Sequence, residues 1–173
     1  MAIRQILIYG DPGLHEKAET VDDLNDDIQE LIDDMFQTMF EAKGVGLAAT
    51  QIGVNKSVVV IDMVEDEDIH EMGTMLSMVN MEIHNKTGMT LFEEGCLSIP
   101  GVTADIDRPE AITVKFVNRK GDWEEFSCDG LLARIIQHEY DHLQGILFVQ
   151  HLSASEKKKL LPQLRKLAEG VEA

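Results

Sequence analysis

Gln137-His138-Glu139-Tyr140-Asp141-His142-Leu143-Gln144-Gly145 is the stretch on which the reading of this chain turns. It ends an apolar-periodic segment, Leu131–Leu143, in which Leu131, Leu132, Ile135, Ile136 and Leu143 predict a helix. Asp129 stands where a cap belongs and Gly145 where the helix should stop. Four helical residues turn through about 400°, so His138 and His142 project from one face, about 6 Å apart along the axis. Two ring nitrogens so placed can converge on one ion at about 2.1 Å. Glu139 is rotated off that stripe, near enough to reach a water on the ion without binding the ion itself. This is the HExxH arrangement, in which the glutamate is a general base. The bland alternatives are chance and a solvated polar face. The apolar neighbours speak against the second, because unpaired His and Glu on a buried helix are costly.

Two imidazoles leave a metal site unfinished, since catalytic sites usually add a third protein ligand. Two cysteines compete for that place. Cys96 lies in Glu93-Glu94-Gly95-Cys96-Leu97-Ser98, where Gly95 permits an unusual backbone path beside the thiol. Cys128 lies ten residues before His138, about 15 Å along the axis if the helix reached that far back, too far to share an ion. Its bland reading, a small buried hydrophobe, is favoured. Spacing alone does not bring Cys96 onto the helix. A third segment, Gly44-Val45-Gly46-Leu47-Ala48-Ala49-Thr50-Gln51, holds two glycines and two alanines, which indicate close backbone packing. It lacks the Lys-Ser/Thr ending of a phosphate loop. A glutamine held beside it could donate to an oxyanion.

Working outward, Leu24, Ile28, Leu31, Met35 and Met39 form the stripe of an N-terminal amphipathic helix, with Asp22 or Asp23 as its cap and Gly44 as its stop. Between Ser57 and Phe126 the pattern changes to strands: Ser57–Asp62, Leu76–Asn80, Met89–Phe92, Ala111–Val117 and Trp123–Ser127, with Asn118–Gly121 as a hairpin turn and Glu65–Glu71 as an acidic loop. Ser155–Glu169 is helical in pattern but carries Pro162, which predicts a kink or restart. Helix, strands, helix gives an α+β fold.

The 173 residues suit one domain, 1–173, long enough to bury a core without a disulfide or metal staple. Fifteen Lys and Arg against 32 Asp and Glu give a net charge of −17, a poor balance for gripping nucleic-acid phosphates or an anionic membrane. No apolar run approaches the roughly 18 residues of a membrane span, and no small-residue cleavage site follows the short apolar N-terminus. Two cysteines make no disulfide framework, which predicts a reducing, cytoplasmic setting. The segment from Ser155 holds Lys157, Lys158, Lys159, Arg165 and Lys166 against Glu156, Glu169 and Glu172, a balance of +2 on a chain that is otherwise −19. It reads as a solvated helix face.

Taken together and in this order, GVGLAATQ at Gly44–Gln51, EGCLS at Glu94–Ser98 and QHEYDHLQG at Gln137–Gly145 resemble the three signature motifs of the peptide deformylase family. The resemblance implies a metal-dependent hydrolase that removes the N-formyl group from the initiator methionine of nascent polypeptides and releases formate. It implies mixed, mainly antiparallel sheets around a central helix that carries the histidines. It implies Cys96, His138 and His142 as metal ligands, Glu139 as catalytic acid/base, Gln51 and the backbone N–H of Leu97 as oxyanion donors, and Gly46 as a substrate backbone contact. The implied metal is Fe²⁺, with Zn²⁺, Ni²⁺ or Co²⁺ able to replace it, although ligand type alone points to Zn²⁺. Val45, Leu97, Ile135 and the ring of His138 flank signature residues and are expected to line an apolar pocket for the methionine side chain. Two positions depart from relatives of that family: Asn80-Met81, where Asn-Pro is common, and Thr103, where some carry Arg. A peptidase cutting internal bonds and a catalytically dead relative are the competing readings. The presence of both Glu139 and Gln51 disfavours the latter. On the resemblance the basic segment from Ser155 reads equally as a contact for the ribosome or as a solvated helix face, and its removal is expected to spare catalysis.

Overall fold

The computed structural model describes residues 2–62 and 75–172. The expected acidic loop at Glu65–Glu71 lies outside the described residues. In chain order the elements are α1 (Asp26–Glu41), β1 (Gly46–Ala48), a 3-10 turn (Ala49–Ile52), β2 (Val58–Asp62), β3 (Met75–Thr87), β4 (Thr90–Cys96), β5 (Ile99–Arg108), β6 (Ala111–Val117), β7 (Trp123–Asp129), α2 (Gly130–Leu143) and α3 (Ala154–Glu172), with short 3-10 turns at Pro12–His15 and Phe148–His151. A five-stranded sheet has the order β1-β2-β3-β6-β7, and β4 and β5 form a separate two-stranded sheet. Every named pairing is antiparallel, and an isolated bridge between Glu19 and Lys56 is parallel. The fold is α+β, as the element pattern predicts.

The run at Val58–Ile61 is apolar throughout because both faces of its strand are covered. Val58 and Val60 pack with Leu31, Ile32, Met35 and Met39 of α1. Val59 and Ile61, one residue out of phase, pack with Ile136 and Leu143 of α2. A third cluster joins Ile99, Val102 and Ile106 of β5 to Phe148 and to Leu164 of α3. Thus α2 lies against the sheet, and the β4–β5 hairpin stands beside it.

Several boundaries differ from expectation. The cap of α1 is Asn25, whose side chain accepts from the Ile28 N–H at 3.1 Å. Asp22 and Asp23 are excluded because the preceding chain is held extended: the Asn80 amide accepts from Val21 N–H and donates to its carbonyl, both at 2.8 Å. Asn80 does this from a left-handed backbone (φ 53°) where the β3–β6 register shifts, and Met81 is buried behind it. The Asn-Met departure is therefore structural. At the end of α1 the left-handed residue is Lys43, not Gly44. Gly44 is needed for another reason, since a Cβ there would lie 2.6 Å from Leu97 Cδ1.

β3 continues past its bulge to Thr87, and β4 to Cys96. β5 was not foreseen: its IPGVTADIDR sequence contains Pro100, Gly101 and two aspartates, poor strand formers, and it is held by Ile99, Val102 and Ile106 in the core. Asp129 occupies the cap of α2 without a side-chain bond, because β7 runs directly into the helix. α3 runs as one helix through Pro162. The bond that proline removes falls on the exposed side, where water can replace it, while Leu164 is fully buried. Ser153 caps it, its hydroxyl accepting from the Glu156 N–H at 3.3 Å and donating to that residue's carboxylate at 3.0 Å.

Candidate metal centre and catalytic cavity

The (i, i+4) spacing on α2 brings His138 Nε2 and His142 Nε2 to 3.2 Å of each other. The end of β4 delivers Cys96 Sγ to 3.3 Å from His142 Nε2. The three ligand-type atoms lie within 4.8 Å of one another, and no other group of three such side chains converges among the described residues. Cys128 is elsewhere, on β7, its thiol pushed up to about 11 by burial and by Asp129. The thiol competition is thus resolved geometrically toward Cys96.

The donors are oriented for a cation. His138 Nδ1 faces Glu94 Oε1 at 2.9 Å, which turns its Nε2 toward the other two ligand atoms. Burial favours a neutral ring at His138, but the acceptors Cys96 and Glu94 and the charge of Glu139 outweigh it and hold a proton up to about 10. His142 is kept neutral, first by burial and then by His138. Surroundings that call for positive charge, with one thiol and two imidazoles converging, fit a soft-to-borderline divalent metal.

Glu94 is itself tightly held. Arg108 grips both its oxygens, at 2.6 and 2.9 Å, and Arg134 Nη1 donates to it at 2.6 Å. Burial would raise the Glu94 carboxyl, but bonds from His138 and Arg108 hold it down at about 2. Arg108 also reaches Asp141 at 2.8 Å, and Asp141 meets His151 at 2.7 Å. Sequence reading assigned none of these residues a role. A signal was available in Arg134, four positions before His138 on an otherwise apolar helix face, since a buried guanidinium requires partners.

A cavity of about 620 Å³ opens onto this cluster, lined by Val45, Gly46, Gln51, Cys96, Leu97, Ile135, His138 and Glu139 among others. Every residue expected to touch substrate lines it, although Val45, 53% exposed, stands at the rim rather than in a buried wall. Gln51 is 1% exposed, and its Oε1 accepts from the Ala48 N–H at 2.9 Å. That fixes Nε2 toward the cluster, where it donates to Ser98 Oγ at 3.1 Å and lies 3.5 Å from Cys96 Sγ. Thr50 ties the same turn to α2 through a 3.1 Å bond to the His142 carbonyl.

Glu139 is 4% exposed, and its Oε2 has no hydrogen-bond partner. Burial pushes its carboxyl up to about 7 against the pull of His138 and Arg108. Gly46 makes room for it: a Cβ there would lie 2.9 Å from Glu139 Oε1. A buried carboxyl with a free oxygen beside three convergent ligand atoms can exchange protons with water in the cavity.

The model of the polypeptide deformylase family matches residues 3–158. A protein called peptide deformylase 2 from Xanthomonas campestris pv. campestris is 45% identical over 174 residues, covering 99% of each chain. A peptide deformylase from Alkalilimnicola ehrlichii is 46% identical over 96% of this chain and 92% of its own. Among solved structures, a peptide deformylase from Legionella pneumophila is 44% identical and superposes with a TM-score of 0.87, covering 95% of each chain. One from Ehrlichia chaffeensis in complex with actinonin is 34% identical, with a TM-score of 0.87 over 96% of this chain and 98% of that one.

Proposed function

The chain belongs to the peptide deformylase family, and we infer from that membership and from its cavity that it removes the N-formyl group from the methionine of newly made polypeptides, releasing formate. The observation that carries the reading is Glu139: a buried carboxyl with an unpartnered oxygen, beside Cys96, His138 and His142, where an open cavity meets them. A divalent metal held by those three residues would polarise the formyl oxygen and lower the pKa of water.

The chain's own residues do the rest. Gln51 Nε2 and the backbone N–H of Leu97 donate to the formyl oxygen as charge develops on it. Glu139 takes the proton of the attacking water and hands it to the leaving amine; a carboxyl near 7 suits both transfers. Leu97 and Ile135 flank the methionine side chain, with Val45 at its outer end. Among the described residues β1 pairs with β2 alone and β4 with β5 alone, so each offers an edge beside the cavity on which an extended peptide can lie, Gly46 contributing from the first.

Formate release from formyl-Met-Ala-Ser, compared with cleavage of a longer peptide blocked at its N-terminus, tests this directly. Internal cleavage without formate release would replace the deformylase with a peptidase.

Fe²⁺ is the metal we assign, with Zn²⁺, Ni²⁺ or Co²⁺ able to substitute. A thiolate on Fe²⁺ in an open site is exposed to oxidation of both metal and sulfur. Anaerobically purified protein is expected to contain iron and to lose activity in air faster than its nickel form; equal half-lives would remove iron from the account. We place the enzyme in the cytoplasm, where formylated chains emerge, and assign the basic face of α3 to the ribosome. Among the described residues, no helix is long and apolar enough to cross a membrane.

A further inference from the structure

The 3-10 turn Phe148–His151 reaches His138 by two routes. Directly, the Phe148 ring packs against the His138 imidazole, with centroids 6.2 Å apart and planes tilted by 31°. Indirectly, His151 begins a line of hydrogen bonds that crosses α2, β5 and β4. Its Nε2–H donates to Asp141 Oδ2 at 2.7 Å, and Arg108 Nη1 donates to the same oxygen at 2.8 Å. Arg108 also grips both Glu94 oxygens, and Glu94 Oε1 accepts from His138 Nδ1 at 2.9 Å. Only one of the two helix imidazoles is steered in this way. The Nδ1 of His142 is buried without a hydrogen-bond partner among the described residues.

Folding does not call for the bond from His151. Its side chain is 38% exposed. The turn is already anchored by the buried Phe148 and Val149 and closed by the bond from the Leu147 N–H to Gln150 Oε1 at 2.8 Å. Charge does not call for it either, since Arg108 and Arg134 already face Glu94 and Asp141, two cations for two carboxylates. What His151 supplies is direction. The Asp141 carboxylate is 17% exposed, and with Arg108 alone it can turn toward water. A second donor on the same oxygen fixes it, and so holds the guanidinium where its Nε and Nη2 both meet Glu94.

We propose that His151 is a positioning residue of the metal centre, acting through Asp141, Arg108 and Glu94 to fix the orientation of the His138 imidazole. The proposal rests on the deformylase reading for its kinetic consequence and on the convergence of Cys96, His138 and His142 for its effect on metal retention. A partner that touches a metal ligand directly is worth about 10–100-fold in metal affinity or activity. His151 stands three bonds beyond Glu94, so its effect is smaller.

The test compares wild type with His151→Ala and with His151→Gln, which returns an N–H donor to the position. Each is loaded with Co²⁺ and measured for kcat and KM on formyl-Met-Ala-Ser, for the rate of Co²⁺ loss to EDTA, and for its urea midpoint. In His151→Ala, Co²⁺ loss is expected to be about three- to tenfold faster and kcat to fall by about the same factor, with KM within about twofold and the urea midpoint unchanged. His151→Gln is expected to bring both rates back to within about twofold of wild type. Unchanged Co²⁺ loss and kcat in His151→Ala would overturn the proposal, as would changes that His151→Gln does not recover. A urea midpoint that falls together with those rates would also overturn it, because His151 would then be a support of the turn. No formate release by Co²⁺-loaded wild type would instead overturn the deformylase reading, and the Co²⁺-loss rates would still judge His151.

Discussion

At the scale of single residues, Glu139 and Gly46 form one device. The carboxylate needs a buried place beside the three ligand atoms, and the missing side chain at Gly46 leaves that place open. Glu139→Gln keeps the shape and the hydrogen bonding but cannot accept or return a proton. The variant is expected to retain full metal content and KM while kcat for formate release falls about 10²–10⁴-fold. A fully metallated variant above about a tenth of wild-type kcat would refute the assigned role. Gly46→Ala tests the same device from the other side. Its methyl must displace the Glu139 carboxylate, and a shift of about 1 Å in a catalytic group can cost about 10²-fold. We expect kcat to fall by about one to two orders of magnitude with metal stoichiometry preserved; a fully active Gly46→Ala enzyme would show that the carboxylate is not confined there.

At the scale of elements, the N-terminal segment is fastened to α1 at one buried carboxylate. Asp34 accepts from the Ala2 N–H at 2.7 Å and from Arg4 Nε at 2.9 Å, while Thr38 Oγ1 accepts from the Arg4 N–H at 2.9 Å. Burial alone would raise the Asp34 carboxyl, but the bonds from Ala2 and Arg4 hold it below its ordinary 3.8. A depressed carboxyl contributes stability above its unfolded value and loses it as pH falls through the folded one. Asp34→Asn is therefore expected to lower stability by about 1–2 kcal/mol at pH 7. The gap to wild type should close as pH falls below 3.8. Urea denaturation of both proteins between neutral and acid pH measures this, and a gap that did not change with pH would show that the charge of Asp34 is not what holds the segment.

At the scale of the whole molecule, α3 is not a detachable tail. Leu164 is buried in the cluster with Ile99 and Phe148, and a Cβ on Gly10 would lie 2.8 Å from the Cα of Ala168. Removing residues 155–173 would strip one wall from that core, so the expectation that truncation spares catalysis does not survive the fold. Charge reversal is the cleaner probe, because Lys157, Lys158, Lys159, Arg165 and Lys166 are all exposed. The five-fold Glu variant is expected to keep peptide turnover within about twofold of wild type and to lose salt-sensitive cosedimentation with ribosomes, which surface substitutions permit without unfolding. Retained cosedimentation would remove α3 from that contact.

What the sequence determined by itself is whatever local periodicity encodes. The apolar stripe of α1, the bounds of β6, the helix around Ile135 and the meeting of His138 with His142 all follow from spacings of two, three or four residues. The motifs added a family, and with it named partners for those histidines. Tertiary structure alone decided the rest. Cys96 meets His142 across 46 residues, and Gln51 meets Cys96 across 45. β5 is a strand because hydrophobic burial outweighs its propensities. The clamp of Glu94 by Arg108 and Arg134 spans three elements. No local pattern carries such pairings, because their stabilisation comes from groups brought together only when the remote elements pack.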